Sequence, residues 1–365
     1  MPIYMDLHIV PGITAENAAK AHLQDLLFQD EFECNCMTYW VDETKDSAFC
    51  LIEAPSPRAV KELHDKAHGL ITHQIIEVNS TVVESFLGRI YDPDVPAQLD
   101  TQLKVFNDPA FRVLVLLSHS DPVLMVLEYG NENSNTYFQS LYAFIDRNSN
   151  IHEGNMVRQT QDVLLSFTSA FKAIAFAKSV HNFVAQHKEI KPNIKIVINA
   201  GMPVTDSKTL FGKTIDLAGS MLYLKAAQPI LLAPIINEIS TFKTSDKSVL
   251  KAVSEKEEQT VYKLLTVLEN NYHLPLFKVE DIAKHMSVSK SGLNRLIKQL
   301  TGHTPKTLLK HIRLQKSLTY LKKQQNNVSE TAIACGFESP AYFSKCFLQS
   351  FKTVPSQYQK LAQQL

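Results

Sequence analysis

The last hundred or so residues of this 365-residue chain carry a duplicated pattern, which limits the possible folds more than any other feature. The first copy runs Val279-Glu280-Asp281-Ile282-Ala283, then Ser289 to Lys298, then Pro305. The second runs Val328-Ser329-Glu330-Thr331-Ala332, then Ser339 to Phe347, then Pro355. Val279 to Val328 is an offset of 49, while Arg295 to Lys345 and Pro305 to Pro355 are offsets of 50, so the turns differ by one residue. Each copy predicts a short helix with a small alanine (Ala283, Ala332) where two helices approach closely. A tight turn follows (His285–Val288; Cys335-Gly336-Phe337), with Gly336 suited to a left-handed backbone. Ser289 and Ser339 then stand where a second helix wants an N-cap. That helix buries Leu293, Leu296 and Ile297, or Phe343 and Phe347. Its other face is left to Ser291, Asn294, Arg295 and Lys298, or to Ala341, Ser344 and Lys345. This is a helix-turn-helix plan, in which the second helix offers its N-terminal residues to a major groove.

Charge agrees with that plan. Lys+Arg and Asp+Glu are equal in number over the whole chain, 37 each. Residues 260–365 hold 15 Lys+Arg against 5 Asp+Glu, a net of +10, which leaves −10 for residues 1–259. A basic end on an acidic body is expected when only that end meets a polyanion.

The block resembles the AraC/XylS family of regulators over about residues 261–360. The resemblance rests on Asp281-Ile282-Ala283, Leu293-x-Arg295-x-x-Lys298, Gly302-x-x-Pro305, Arg313 and Ala334-Cys335-Gly336-Phe337, with Phe343, Phe347, Phe351 and Pro355-x-x-Tyr358. It implies two helix-turn-helix units joined by a long helix, about Pro305–Leu321, that read successive major grooves about 34 Å apart. It also implies that Ser291, Asn294 and Arg295 reach bases from the first unit. Pro340, Ala341, Ser344 and Lys345 hold the matching face of the second. Lys352 stands where the family usually has glycine, and Gln359 where it usually has a basic residue. Pro340 and Ala341 offer no side-chain hydrogen bonds, so the second unit is expected to lean on phosphate contacts.

Residues 1–90 read differently. Short β-like runs (Ile3–Val10, Met37–Val41, Ala48–Glu53, Gln74–Val78) alternate with amphipathic stretches (Ala15–Phe28, Pro57–His68), a β-α-β-β-α-β order of the ferredoxin-like α+β kind. Five of the thirteen histidines fall here: His8, His22, His64, His68 and His73. His64 and His68, four apart on a helix, share a face, and imidazole with cysteine or carboxylate suits nickel, zinc or copper. His8, Cys50, Glu53, His64 and His68 are the candidate metal ligands, with Cys34-x-Cys36 a weaker signal. The block resembles a family of small nickel-binding ferredoxin-like domains through Met5-Asp6-Leu7-His8, Ala21-His22-x-x-Asp25-Leu26, Tyr39-Trp40-Val41-Asp42, Phe49–Pro55 and His64-x-x-x-His68-Gly69. That resemblance implies nickel. No organic cofactor is expected.

Asp92-Pro93-Asp94-Val95-Pro96 reads as a linker, because proline restricts its predecessor and interrupts regular structure. Residues 100–240 are again mixed α/β. Val113–Leu117, Val123–Glu128 and Ile194–Asn199 look like strands, and Ser169–His187 has helical spacing. The polar stretch Ser240–Glu258 holds eight charged residues, and residues 241–260 are expected to be a linker before the basic block at 261–365.

The middle block resembles a class III nucleotide cyclase homology domain, through His152-Glu153-Gly154, Gln161–Phe167, Ala170–His187, Ile194–Gly201, Phe211–Ala218 and Ile230–Leu232. Such enzymes hold two magnesium ions on two carboxylates, with an asparagine and an arginine at the substrate. Asp162 matches one carboxylate, but His119-Ser120-Asp121 follows the first strand without the usual aspartate placement. Asp216 replaces the asparagine and Ser220 the arginine. The resemblance therefore implies a degenerate fold for two-fold pairing or ligand sensing, with no catalytic residues.

The five cysteines are scattered and odd in number, the N-terminus lacks a signal-peptide pattern, and no apolar run is long enough to span a bilayer. The whole reads as a cytoplasmic, non-enzymatic multidomain regulator: homodimeric, bound to double-stranded DNA, with RNA polymerase a further partner and no membrane contact. The rival readings are a nucleotide cyclase with a DNA-binding appendage and a metal-storage protein.

Overall fold

Local chemistry at Asp121-Pro122 decides the first departure from the sequence reading. In the computed structural model, which describes residues 1–96, 103–159, 162–187, 190, 192–240, 248–323 and 326–364, Val123–Glu128 is helical rather than a strand. Asp121 Oδ1 accepts from the amides of Val123 and Leu124 at 2.9 and 3.2 Å, and Pro122 supplies the preset backbone angle of a first helical residue. An unbroken apolar run cannot by itself separate a buried strand from a buried helix. Gln161 and the start of the expected 241–260 linker lie outside the described residues.

The N-terminal block has the expected order: β1 (Ile3–Ile9), α1 (Ala15–Phe28), β2 (Asn35–Asp42), β3 (Ser47–Glu53), α2 (Pro57–Ala67) and β4 (Gln74–Val78), followed by α3 (Ser80–Leu87). The four strands form an antiparallel sheet in the order β2-β3-β1-β4. Both faces are covered. Tyr4, Cys50 and Ile52 pack under the helices with Ala18, Val60 and Leu63, while Met5, Phe49 and Leu51 join the core of the next block. Alternation along a strand sends neighbouring side chains to opposite layers, so each strand serves two cores.

The middle block is built on a six-stranded sheet in the order β10-β9-β8-β5-β7-β6. It comprises β5 (Arg112–Ser118), α4 (Pro122–Tyr129), α5 (Asn131–Ile151), β6 (Asn155–Gln159), β7 (Asp162–Phe167), α6 (Ala170–Gln186), β8 (Lys195–Gly201), α7 (Gly212–Met221), β9 (Ile230–Leu232), α8 (Pro234–Ile239) and β10 (Leu250–Ala252). Strand β5 runs antiparallel to β7 and β8, and β8, β9 and β10 run parallel. Here the linker expectation is corrected. Leu250–Ala252 pairs with β9 as an edge strand, Leu250 and Val253 are buried, and the next helix starts before residue 260. Edge strands tolerate charged, polar sequence, which is what made the stretch look unstructured.

The C-terminal block is all helical: α9 (Glu255–Asn271), α10 (Val279–His285), α11 (Lys290–Thr301), α12 (Pro305–Lys322), α13 (Val328–Ala334), α14 (Pro340–Phe351) and α15 (Pro355–Ala362). Ser254 and Glu257 form a reciprocal capping box that starts α9. Arg313 on α12 donates to the carbonyls of Tyr272 and Leu274, both at 2.8 Å, satisfying backbone groups at and beyond the end of α9. Gly336 has φ +76°, and a side chain there would run into the Tyr272 carbonyl. No helix among the described residues is long and apolar enough to cross a membrane.

Candidate nucleic-acid interface and metal centre

Two helix pairs, α10 with α11 and α13 with α14, reproduce the duplicated pattern, with α12 between them. Ser289 Oγ accepts from the Gly292 amide at 3.1 Å, and Ser339 Oγ accepts from the Tyr342 amide at 3.2 Å. These two serines thus spend their hydroxyls capping the second helix of each pair. Behind them Leu293, Ile297, Phe343 and Phe347 are fully buried. Ser291, Asn294, Arg295 and Lys298 are exposed along one side of α11. On α14, Ala341 and Lys345 are exposed and Ser344 is half-buried. Each second helix is therefore anchored by its apolar face and presents its polar face outward, starting at its positively polarised end.

The metal candidates divide. Asp6 and His8 are two apart on β1 and so share a face. Cys50 on β3 lies on that face too, and His64 reaches it from α2. One ligand atom from each of Asp6, His8, Cys50 and His64 lies within 4.8 Å of the others, and all four residues are buried. His8 Nδ1 donates to the Ile71 carbonyl at 3.0 Å, which leaves Nε2 facing the cluster. That buried Nε2 sits 3.2 Å from Asp6 Oδ2, within ion-pair distance but without a hydrogen bond. His64 Nε2 is 2.7 Å from Asp6 Oδ2. On its other side His64 Nδ1 is 3.1 Å from Asp25 Oδ1 and 3.0 Å from His68 Nε2. His68 thus stands with Asp25 behind His64, in a second group of three potential ligands.

Glu53 does not join. It is three residues from Cys50, so it points to the opposite side of the sheet about 10 Å further on. Its carboxylate takes the Met1 amino group at 3.1 Å and the Asn35 amide at 3.3 Å. Asp6 and Asp25 belong to the motifs that carry the resemblance but are not among the ligand candidates read from the sequence. Spacing could have found Asp6, two residues before His8, whereas only the resemblance motif marks Asp25, on another helix.

The charges around His64 explain its environment. Burial opposes its charge, but Asp6 and Asp25 outweigh that and lift its pKa to about 10. Burial likewise disfavours ionised Asp6, yet His8 and His64 hold it well below the usual carboxylate range. Burial, then Asp6 and Asp25, push the Cys50 thiol well up. The donor set of two imidazoles, a thiol and a carboxylate fits a borderline ion such as nickel or zinc. Cys34 and Cys36 are buried free thiols, and Cys36 borders the same helix-covered core.

Residues 282–361 match the family model described as a helix-turn-helix domain. The C-terminal block is a helix-turn-helix domain. Residues 4–78 match the model described as nickel responsive protein SCO4226-like. The HTH-type transcriptional activator RhaS of Mannheimia succiniciproducens is 28% identical over 172 residues, 45% of this chain and 62% of that protein. Histidine kinase P4 of Formosa agariphila is 36% identical over 107 residues, 29% of this chain and 8% of its own length. The chain spans less than two thirds of the length of either relative. Among solved structures, SCO4226 of Streptomyces coelicolor A3(2) is 32% identical, over 21% of this chain and 94% of that one, with a TM-score of 0.20. The helix-turn-helix domain packs directly on the middle block: Val123 of α4 is buried among Leu314, Leu318, Phe343, Phe347 and Tyr358.

Proposed function

We propose that this chain is a sequence-specific DNA-binding transcriptional regulator of the AraC type, controlled by nickel, or by a similar ion such as zinc, at its N-terminal block. The observation that carries the reading is the pair of capped second helices, each with an apolar face buried and a polar face open, in the basic third of the chain. Ser289 and Ser339 start the helices; Ser291, Asn294 and Arg295 read bases, and Lys298 and Lys345 meet phosphates. Ala341 and Ser344 supply the shallow contact face of the second unit.

In this reading residues 1–90 are a ferredoxin-like sensor in which Asp6, His8, Cys50 and His64 hold the ion. Asp25 and His68 position His64 by accepting from or facing its Nδ1, as outer groups commonly do for metal-bound histidines. The middle block is a degenerate cyclase-like module for sensing or two-fold pairing; Ser220 in place of an arginine argues against turnover. The protein works in the cytoplasm as a homodimer that sets two DNA half-sites, with RNA polymerase as its downstream partner.

The test is selection of genomic fragments by the purified protein with and without nickel. Recovery of a shared sequence whose affinity changes with nickel supports the reading. Recovery of no preferred sequence in either condition overturns it.

A further inference from the structure

Between the middle sheet and the helix-turn-helix domain lies a cavity of about 1360 Å³. Its floor is one end of the sheet. Ser118 on β5 pairs with Asp162 on one side and Lys195 on the other, so an acid, a hydroxyl and an amine stand in a row across three strands. At about 4.8 Å per strand, the two charged residues are about 10 Å apart at their Cα atoms. The roof is α9 and α12. At the sides the wall includes Thr301 and Phe351, the last residues of α11 and α14, at the ends opposite their base-facing residues.

The cavity has two electrical poles. Asp162 shares the lining with Asp216 on α7 and Glu269 on α9. Partial burial and then Glu269 raise the Asp216 carboxyl, and burial, Glu269 and Asp162 push the Tyr223 hydroxyl up to about 12. Glu269 is shared with Lys316 at 3.1 Å, whereas Asp162 and Asp216 have no ion-pair partner among the described residues. At the other pole are Lys195, His303 and His311. The two imidazoles stack with centroids 5.8 Å apart, and burial, His303 and Lys195 lower the pKa of His311. Lys195 Nζ donates to the Leu222 carbonyl at 2.7 Å, which fixes its position. The edge of the Tyr223 ring meets the His311 ring between the poles, with centroids 6.2 Å apart. The lining, which also includes Arg158 and Lys225, thus offers partners for both signs of charge on one ligand.

We propose that this cavity binds a small zwitterion of amino-acid or short-peptide size, its amine at Asp162, Asp216 and Glu269 and its carboxylate at Lys195, His303 and His311. Because the wall includes the ends of both reading helices, an occupant alters their relative seating. That consequence rests on the DNA-binding reading above; the binding itself does not.

The experiment is calorimetric titration of the full chain with each of the twenty L-amino acids, dialanine and trialanine, in the absence of DNA. At least one is expected to bind, and its N-acetylated and C-amidated forms to bind at least tenfold more weakly. Lys195→Met and Asp216→Asn are each expected to weaken it at least tenfold while nickel binding is unchanged. Asp216 is exposed, so its variant reports even if loss of the Lys195 bonds disturbs the fold. Binding by none of these compounds, or binding indifferent to both caps and to Asp216→Asn, overturns the proposal. Failure to bind DNA leaves this titration unaffected, so the two readings fail separately.

Discussion

Arg295 is exposed in mid-helix on α11, held by the buried Leu293 and Ile297 on the opposite side. A guanidinium there can donate two parallel hydrogen bonds to guanine, worth roughly 1–3 kcal/mol of discrimination. Arg295→Ala is expected to weaken binding to a selected duplex by about that much and to a scrambled one far less, measured by fluorescence anisotropy. Equal losses on both would remove its reading role. The metal site offers a second residue-scale test. Asp25→Asn is expected to cost roughly 10–100-fold in nickel affinity by calorimetry, because it orients His64 without needing to touch the ion. Glu53→Gln, on the other side of the sheet, is expected to leave nickel affinity unchanged. His8 and His64 were legible in the sequence as candidates, and the fold brings them into one cluster. The contact between Asp25 and His64 was not legible, because it depends on how α1 packs against α2.

At the scale of elements, helix ends decide much of the C-terminal architecture. Lys352 caps α14 with φ 61°, in the left-handed region where a side chain is strained and glycine is not. Lys352→Gly is expected to stabilise the protein by about 1 kcal/mol in urea denaturation; a loss of stability would show that the Lys352 side chain matters more than its backbone. The sequence already showed the missing glycine, and the left-handed angle explains why glycine suits the site. Helix α4 is the opposite case. Asp121 caps it, and its other oxygen accepts from the buried Tyr358 hydroxyl at 3.0 Å and meets Lys322 at 2.7 Å. One carboxylate thus ends a loop, starts a helix and ties the middle block to α12 and α15. Asp121→Ala removes a cap, about 1 kcal/mol, and orphans a buried hydroxyl, about 1–3 kcal/mol. A destabilisation of about 2–4 kcal/mol is expected, and a change below 0.5 kcal/mol would mean the tie is not formed.

For the whole molecule, the contrast between acidic body and basic end sets how it meets a polyanion. Every phosphate neutralised adds about 0.9 to the slope of log affinity against log salt. Lys298→Ala is expected to lower affinity for selected and random duplexes alike and to reduce that slope by about 1. An unchanged slope would take Lys298 off the phosphate path. The blocks are packed as one body through shared cores rather than strung on linkers. The sheet of the first block feeds the second through Met5, Phe49 and Leu51, and Val123 of the second completes the core around Phe343 and Phe347. The candidate metal-site residues lie on the same strands as those interface residues, Asp6 next to Met5 and Cys50 between Phe49 and Leu51.

The sequence alone determined the doubled helix pairs, their serine caps, the order of elements in the first block and the histidines at its centre. Each of these is written in spacing within one element or in the chemistry of its ends. Only the tertiary structure decided that Asp6 and Asp25 stand with His64, that Glu53 does not, and that β10 completes a sheet. It also decided that Asp121 joins two blocks beside the cavity between them. The reason is geometric: periodicity records which residues share a face, whereas which faces meet depends on packing among residues distant along the chain.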